Sequence, residues 1–185
     1  MDRHALSERR RRLNAFLAAQ QTRAYSLAHA MTRNPDDALD LVQDSMLRLA
    51  RHYGERREEE WTLLFYRILN NLIRDFHRRR TLSRWLPFSE ALDGLEEHPA
   101  AGTSSEDPQR QAQQDGELKR IHQALARLPL RQQQVFLLRA WQEFSTAETA
   151  AALGIAKTSV KTHYRRAISR LRQLLNTDGV PDEDR

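Results

Sequence analysis

Apolar residues recur at helical spacing along most of this 185-residue chain, and no stretch alternates with the two-residue period of a strand. Asn34 and Pro35 mark a helix start, because asparagine is a favoured N-cap and proline fits the first helical position. The N-terminal part is expected to hold three helices, over residues 13–30, 35–53 and 61–80, with a charged loop (GERREEE) over residues 54–60.

The last third of the chain predicts a helix-turn-helix. Ser145 and Glu148 have the spacing of a capping box, and Gly154 follows where the short helix must turn through a left-handed conformation. The next helix carries an apolar stripe on one side. The opposite side is centred on polar residues, which are Thr158, Thr162, Arg165, Arg166 and Ser169, with Lys161 at its edge. These groups suit the base edges and phosphates of a DNA major groove, whereas a plain helical bundle with a solvated basic face is the alternative.

Residues 83–117 have the composition of a connector. They hold three of the six prolines, together with glycine, serine and acidic residues. We therefore predict an all-α chain of two small helical domains. These are an N-terminal helical bundle over residues 10–82 and a C-terminal helix-turn-helix domain over residues 118–175, whose first helix starts near Glu117. A flexible acidic linker over residues 83–117 joins them.

Charge is segregated along the chain, although the formal net charge is only +5. Residues 1–84 carry 17 basic and 11 acidic groups, and residues 118–175 carry 11 basic and two acidic groups. Between them, residues 85–117 carry one arginine and eight carboxylates. Basic blocks usually seek phosphate, so nucleic acid is a candidate partner, although arginine-rich solvated helix faces are also common.

Composition and spacing exclude several function classes. The chain has no cysteine, so it has no disulfide, no thiolate metal site and no cysteine nucleophile. No apolar run approaches the roughly 20 residues of a membrane span, and MDRHALSERRRR lacks the apolar stretch of a signal peptide. The seven histidines show no metal-ligand spacing, and neither a Gly-rich phosphate loop nor a positioned nucleophile occurs. We expect a cytoplasmic protein without catalytic residues, metal, cofactor or membrane insertion.

A polar stripe runs along one side of the third predicted helix, where Arg67, Asn71, Arg74 and Arg78 follow at steps of four, three and four. Such a stripe could follow a phosphate chain while Asn71 bonds a base. Aromatic rings that could stack on unpaired bases lie nearby. They are Tyr53, Trp61, Phe65, Tyr66 and Phe76. Most of these rings are expected in the core, which leaves stacking to one or two.

A row of carboxylates lies on the second predicted helix. Asp36, Asp40 and Asp44 repeat every four residues, with Gln43 beside them. Such a row is a solvated face, a docking site for a basic partner or a metal site. Metal ligands normally converge from several elements, which disfavours the metal site.

Taken together, these segments resemble the extracytoplasmic-function (ECF) group of the sigma-70 family, which are bacterial transcription initiation factors. The N-terminal signature is DALDLVQDSMLRLARHY followed by WTLLFYRILNNLIRDFHRRR. The C-terminal signature is LPLRQQQVFLLR, STAETAAALGI and SVKTHYRRAISRLRQLL. The resemblance covers about residues 10–82 and 118–175, and the order and separation of the two signatures make the pair specific.

The resemblance implies a sigma factor that binds core RNA polymerase and directs it to promoter DNA. It implies that Asp40, Gln43 and Asp44 face the β′ subunit, while the C-terminal domain docks on the β subunit. It assigns the −35 element to the major-groove residues Thr158, Lys161, Thr162, Arg165 and Arg166. It assigns the melted −10 strand to the loop before the third helix and to Arg67, Asn71, Arg74 and Arg78. The acidic connector is expected to thread the RNA channel of the polymerase, and a separate anti-sigma factor is expected to control the protein.

Two departures from the family pattern affect these assignments. First, Ala156 stands where a serine commonly caps the recognition helix, so Thr158 or Ser159 is expected to cap it instead. Second, Leu39 stands where an acidic residue is frequent, which weakens the docking face slightly. Two other functions stay open at this point. A stand-alone helix-turn-helix regulator would bind duplex DNA without polymerase, and a metal-dependent nucleic-acid enzyme would use the aspartate row.

Overall fold

The computed structural model describes residues 3–83 and 108–177, which form seven α-helices and no strand. The all-α prediction is confirmed. The helices are α1 (Arg3–Thr32), α2 (Pro35–Tyr53), α3 (Glu58–Ser83), α4 (Pro108–Ala126), α5 (Leu130–Ala140), α6 (Thr146–Leu153) and α7 (Lys157–Thr177). None of them is both long and apolar enough to cross a membrane.

Helices α1, α2 and α3 pack into an N-terminal domain. The turn from α1 to α2 forms as predicted, because the Asn34 Oδ1 accepts hydrogen bonds from the backbone N–H groups of Asp36 and Asp37 at 2.9 and 3.0 Å. Both aspartates lie in the first turn of α2, where the helix dipole favours negative charge. The largest fully buried side chains of this domain include Leu27, Leu49, Trp61, Phe65, Tyr66, Leu69 and Ile73.

Two boundaries in this domain differ from the predictions. Helix α1 begins at Arg3 rather than near Leu13. The Arg9 guanidinium donates to the Gly54 carbonyl at 2.9 Å, and the Arg12 guanidinium lies 2.9 Å from the Glu58 carboxylate, so tertiary contacts hold this polar first stretch of α1 against the α2–α3 turn. Helix α3 begins at Glu58 rather than Trp61, because three glutamates suit the positive end of a helix. The predicted 54–60 loop is therefore only residues 54–57.

The segment predicted as a linker is helical at both ends. Ser83 closes α3, and α4 begins at Pro108 rather than near Glu117. Proline is favoured in the first turn of a helix, where its missing N–H would have no intrahelical partner. Residues 84–107, which carry most of the predicted linker and its proposed path through the polymerase, lie outside the described residues.

Helices α4 to α7 form the C-terminal domain, with α7 packed against α4, α5 and α6. Its buried apolar side chains include Leu125, Leu137, Leu138, Leu153, Val160, Ala167 and Leu171. The two domains also touch each other, since α3 packs against α6 and α1 against α4. The two helices that carry the predicted DNA-binding residues, α3 and α7, are thereby linked, since both pack against α6.

Candidate nucleic-acid interface

The helix-turn-helix is built from the local signals that the sequence contains. The Ser145 Oγ accepts a hydrogen bond from the Glu148 N–H at 3.1 Å, and the Glu148 Oε2 accepts one from the Ser145 N–H at 2.7 Å. Hydrogen bonding to the Ser145 side chain, and then to its backbone N–H, lowers the pKa of Glu148. Gly154 adopts the left-handed conformation, with φ 64° and ψ 40°. The predicted capping box and glycine turn are thus both confirmed.

The next helix, α7, begins one residue before the substitute caps that the sequence suggested. The Val160 N–H donates to the Ala156 carbonyl at 3.1 Å, which places Thr158 and Ser159 inside the first turn. The prediction that one of them caps the helix is therefore wrong. Ala156 has no hydroxyl to offer in their place.

The residues predicted to contact bases sit on the outer side of α7. Thr158, Lys161, Arg165 and Arg166 are exposed. Thr162 is half-buried, and its hydroxyl donates to the Thr158 carbonyl at 3.1 Å. The Thr162 hydroxyl hydrogen is therefore already used within α7.

A cavity of about 590 Å³ adjoins this face of α7. Lys161 and Arg165 line it together with Arg139 and Arg172, which the sequence analysis did not single out. The Arg139 guanidinium lies 5.5 Å from the centre of the Tyr164 ring and also donates to the Phe144 carbonyl, and these two contacts hold it in place. Arg172 lies seven positions after Arg165, so helical spacing alone could have pointed to it.

The four residues predicted to hold a single strand all lie exposed on α3, but their surroundings differ. The Arg67 guanidinium donates to the Ala151 carbonyl of α6 at 2.9 and 3.1 Å. Arg78 lies 3.6 Å from the Asp75 carboxylate. Asn71 is exposed between them. Burial lowers the pKa of Arg131 on α5, and the nearby positive charge of Arg74 lowers it further.

The aromatic residues of this region belong mainly to the core, as predicted. Trp61, Phe65 and Tyr66 are almost fully buried. Burial also raises the pKa of Tyr66, so its phenol stays protonated. Tyr53 and Phe76 are half-buried and are the rings that remain candidates for base stacking.

A surface of mixed character lies on α2. Asp40 and Gln43 are exposed. Leu39, which stands where the family often has an acidic residue, is 39% exposed, and Leu47, which the sequence analysis did not single out, is 53% exposed. Asp44 accepts two hydrogen bonds from the Arg48 guanidinium at 3.0 and 2.9 Å, and this bond raises the pKa of Arg48. Exposed apolar area rimmed by polar groups is a feature of protein-binding surfaces.

No group of three or more His, Asp or Glu side chains that could hold a metal ion occurs within residues 3–83 and 108–177. Two aspartates of the α2 row make contacts with other residues or with the helix end. Asp36 lies in the first turn beside its Asn34 cap, and Asp44 pairs with Arg48.

Comparison with known proteins identifies the family. Residues 16–82 match the model of Sigma-70 region 2, and residues 118–171 match that of Sigma-70, region 4. The chain is 32% identical to an RNA polymerase sigma-E factor of Streptomyces antibioticus over 144 residues, which cover 78% of this chain and 73% of that protein. It belongs to the ECF group of the sigma-70 family.

Other relatives agree with this placement. The chain is 31% identical to the ECF RNA polymerase sigma factor SigM of Mycobacterium tuberculosis, over 82% of this chain and 70% of that one. The sigma factor RpoE of Bartonella quintana, solved in complex with the anti-sigma factor NepR, has the same fold with a TM-score of 0.67. That match covers 91% of this chain and 97% of RpoE at 23% identity. Sigma factors of this family are transcription initiation factors that direct promoter-specific transcription by RNA polymerase.

Proposed function

We propose that this sigma factor recognises two promoter elements with separate surfaces: α7 binds the −35 element as duplex, and α3 holds the melted −10 strand. The single observation that carries the proposal is the helix-turn-helix geometry, in which a capped α6 and a left-handed Gly154 present the basic side of α7 to solvent. A helix presented in this way fits the major groove.

The −35 contacts are assigned to Thr158, Lys161, Thr162, Arg165 and Arg166. The exposure of the two arginines and the lysine supports this role, because guanidinium and ammonium groups bind the guanine acceptors O6 and N7 and the phosphates. The Thr162 methyl group supplies an apolar contact for a thymine methyl. Arg139 and Arg172 join this surface as phosphate contacts, because they line the same cavity as Lys161 and Arg165.

The −10 strand is assigned to Arg67, Asn71, Arg74 and Arg78. The arginines follow the phosphates, and the exposed amide of Asn71 bonds an unpaired base. The buried state of Trp61, Phe65 and Tyr66 limits base stacking to the rings at the edge of the core. Strand separation is stabilised because the single strand, but not the duplex, presents free base edges to Asn71.

The polymerase contact is assigned to Asp40, Gln43 and Asp44 on α2, facing the β′ subunit, while the C-terminal domain contacts the β subunit. Leu39 and Leu47 add apolar area to the acidic surface. We also propose an anti-sigma factor as a regulatory partner, since the similar RpoE was solved with one.

The deciding experiment is run-off transcription with purified core RNA polymerase on the promoter upstream of the protein's own operon. The wild-type chain should produce a specific transcript that core alone does not produce. Arg166→Ala should reduce it by the equivalent of roughly 1–3 kcal/mol if Arg166 contacts a base. Arg127→Ala is the matched control, because Arg127 is an exposed arginine of the same domain outside α7.

Asn71→Ala tests the strand-holding role separately. It should lower permanganate reactivity of the −10 thymines while leaving initial duplex binding nearly unchanged. A footprint equal to that of the wild type would exclude the role of Asn71, and a chain that never yields a transcript with core would exclude the proposed function as a whole.

A further inference from the structure

The first turns of α1 hold the backbone of the α2–α3 turn, which comprises residues 54–57. The half-buried Arg9 donates from its Nε to the Gly54 carbonyl at 2.9 Å and from its Nη2 to the Glu55 carbonyl at 2.6 Å. The same Nη2 also donates to the Arg56 carbonyl. One planar guanidinium therefore binds three successive carbonyl oxygens that lie 45 to 47 residues away along the chain.

The end of α2 needs such a donor. The last carbonyls of a helix have no intrahelical partner, and many helices satisfy them with a glycine in the left-handed conformation. Gly54 has φ −59° and ψ −22°, so it stays right-handed and does not form that cap. The helix dipole also favours a positive charge at this end. Arg9 thus supplies both the hydrogen bonds and the charge that the end of α2 lacks.

Packing of α1 against the turn supports the same contact independently of Arg9. Leu13, one helical turn after Arg9, is buried, and a Cβ added at Gly54 would lie 3.3 Å from its Cδ2. Only glycine therefore lets α1 approach the turn this closely. Arg12, on the same side of α1, lies 2.9 Å from the Glu58 carboxylate in the first turn of α3. One side of α1 thus fixes both the turn and the start of α3.

The side chains of the turn remain available to a ligand, because Arg9 binds only its backbone. Glu55, Arg56 and Arg57 are all exposed. The turn directly precedes α3, and Arg67 follows Glu58 by nine residues, which is about 14 Å along the helix axis. A single strand that follows the α3 stripe past Arg67 towards the start of the helix therefore arrives at this turn.

A turn whose backbone is already ordered binds a ligand at lower entropic cost. Ordering a mobile segment on binding reduces affinity, and contacts that fix it beforehand remove that cost. The four residues of the turn have only one internal backbone hydrogen bond to Tyr53, from the Arg56 N–H at 2.9 Å. The three bonds from Arg9 are therefore the main polar contacts that define its conformation in the described residues.

We propose that Arg9 is a positioning residue for capture of the melted −10 strand: it holds the α2–α3 turn in the conformation in which the exposed side chains of Glu55, Arg56 and Arg57 meet the strand beyond Arg67. The inference rests on the proposed function, since it extends the strand surface from α3 to this turn. Arg9 acts through backbone carbonyls and not through a contact of its own with DNA.

The first test measures the turn in the free, full-length chain by amide hydrogen exchange. Arg9→Ala should make the Arg56 N–H exchange about tenfold faster, since hydrogen bonds to a charged donor are the stronger ones. The N–H of Val42, in the buried middle of α2, should exchange as in the wild type. Arg10→Ala is the matched control, because Arg10 is an exposed arginine of the same turn of α1 that donates no hydrogen bond to residues 54–57.

The second test measures strand capture by the complex with core RNA polymerase. Arg9→Ala should lower permanganate reactivity of the −10 thymines by about tenfold, while binding to core and to −35 duplex stays as in the wild type. The ratio of transcript from the native −10 element to that from an element with substituted bases should also fall, because a loosely held turn rejects a wrong base less strongly. A mere loss of folded protein would lower both transcripts equally and leave this ratio unchanged.

Arg9→Lys distinguishes positioning from simple charge. Lysine keeps the positive charge, but its ammonium is a single point and cannot reproduce the planar fork of arginine. Transcription by this variant should recover only as far as the protection of the Arg56 N–H recovers. Full transcription with an unprotected turn would overturn the proposal, since a positive charge near the strand would then be sufficient.

The remaining outcomes separate this inference from the proposed function. Exchange at Arg56 that Arg9→Ala leaves unchanged would overturn the inference without polymerase. Normal strand capture by Arg9→Ala, with wild-type transcription intact, would overturn it and leave the proposed function standing. A wild-type chain that yields no transcript with core would instead exclude the proposed function, and the inference with it.

Discussion

Replacing Gly154 by alanine isolates the energetic cost of the left-handed turn between α6 and α7. Gly154 has φ 64°, and a Cβ built there would meet no atom within 4 Å. No steric clash contributes, so the cost is that of placing an L-residue in the left-handed region, about 1–2 kcal/mol. Alanine also restricts the unfolded chain, which returns roughly 0.4–1 kcal/mol. We expect Gly154→Ala to lower the free energy of unfolding by about 1 kcal/mol.

The assay is urea denaturation followed by far-UV circular dichroism, with two companion variants. Gly154→Asn should lose less than Gly154→Ala, because asparagine tolerates the left-handed conformation better than alanine does. Gly116→Ala should stabilise the chain by roughly 0.5–1 kcal/mol, since Gly116 lies within α4, is exposed, and has nothing within 4 Å of an added Cβ.

The three variants together can refute the reasoning. If Gly154→Asn is as unstable as Gly154→Ala, side-chain contacts rather than backbone conformation control the turn. If Gly154→Ala is as stable as the wild type, the turn relaxes to another conformation at no cost. In that case α7 would also change direction, and duplex binding would fall without a loss of stability.

Three further predictions use other parts of the structure. Burial lowers the pKa of His29 and His122, and His29 lowers that of His122 further, so these groups bind fewer protons in the folded chain than in the unfolded one. The free energy of unfolding should therefore fall as the pH drops from the ordinary histidine pKa of about 6.5 towards the lowered values; a urea midpoint independent of pH in this range would contradict this. Ser145→Ala should lower the free energy of unfolding by about 1 kcal/mol, measured in urea, through loss of the capping box. Asp40→Lys with Asp44→Lys should weaken co-purification with core polymerase while leaving circular dichroism unchanged, and full retention on core would reject the α2 docking surface.

Features set by local chemistry were predictable from the sequence. The Asn34-Pro35 start of α2, the Ser145–Glu148 capping box and the Gly154 turn each depend on residues within a few positions of one another. Such features form because a side chain satisfies a backbone group that the helix end leaves without a partner. Most of the aromatic rings near the third helix were likewise expected in the core, and Trp61, Phe65 and Tyr66 are buried there, because helical periodicity already indicates which side packs.

Features set by distant contacts were not predictable. The first turns of α1 are polar and carry no periodic apolar signal, yet Arg9 and Arg12 attach them to the α2–α3 turn more than 40 residues away. Gln133 and Gln134 stand beside Gln132 in a polar run that suggests solvent exposure, but they are 4% and 1% exposed. Their partners are carbonyls of α1 and α3, and no sequence pattern distinguishes one helix carbonyl from another.

The same limit explains why the candidate DNA-binding residues could be named but their contacts in the folded chain could not. Exposure of Arg67 follows from the helical phase of α3, and its guanidinium suits any anionic or carbonyl oxygen. Which oxygen it binds depends on the partner within reach: the Ala151 carbonyl in this structure, and in the proposed function a phosphate of the −10 strand. Because the same guanidinium hydrogens cannot serve both oxygens at once, the carbonyl contact and the proposed strand contact compete for Arg67.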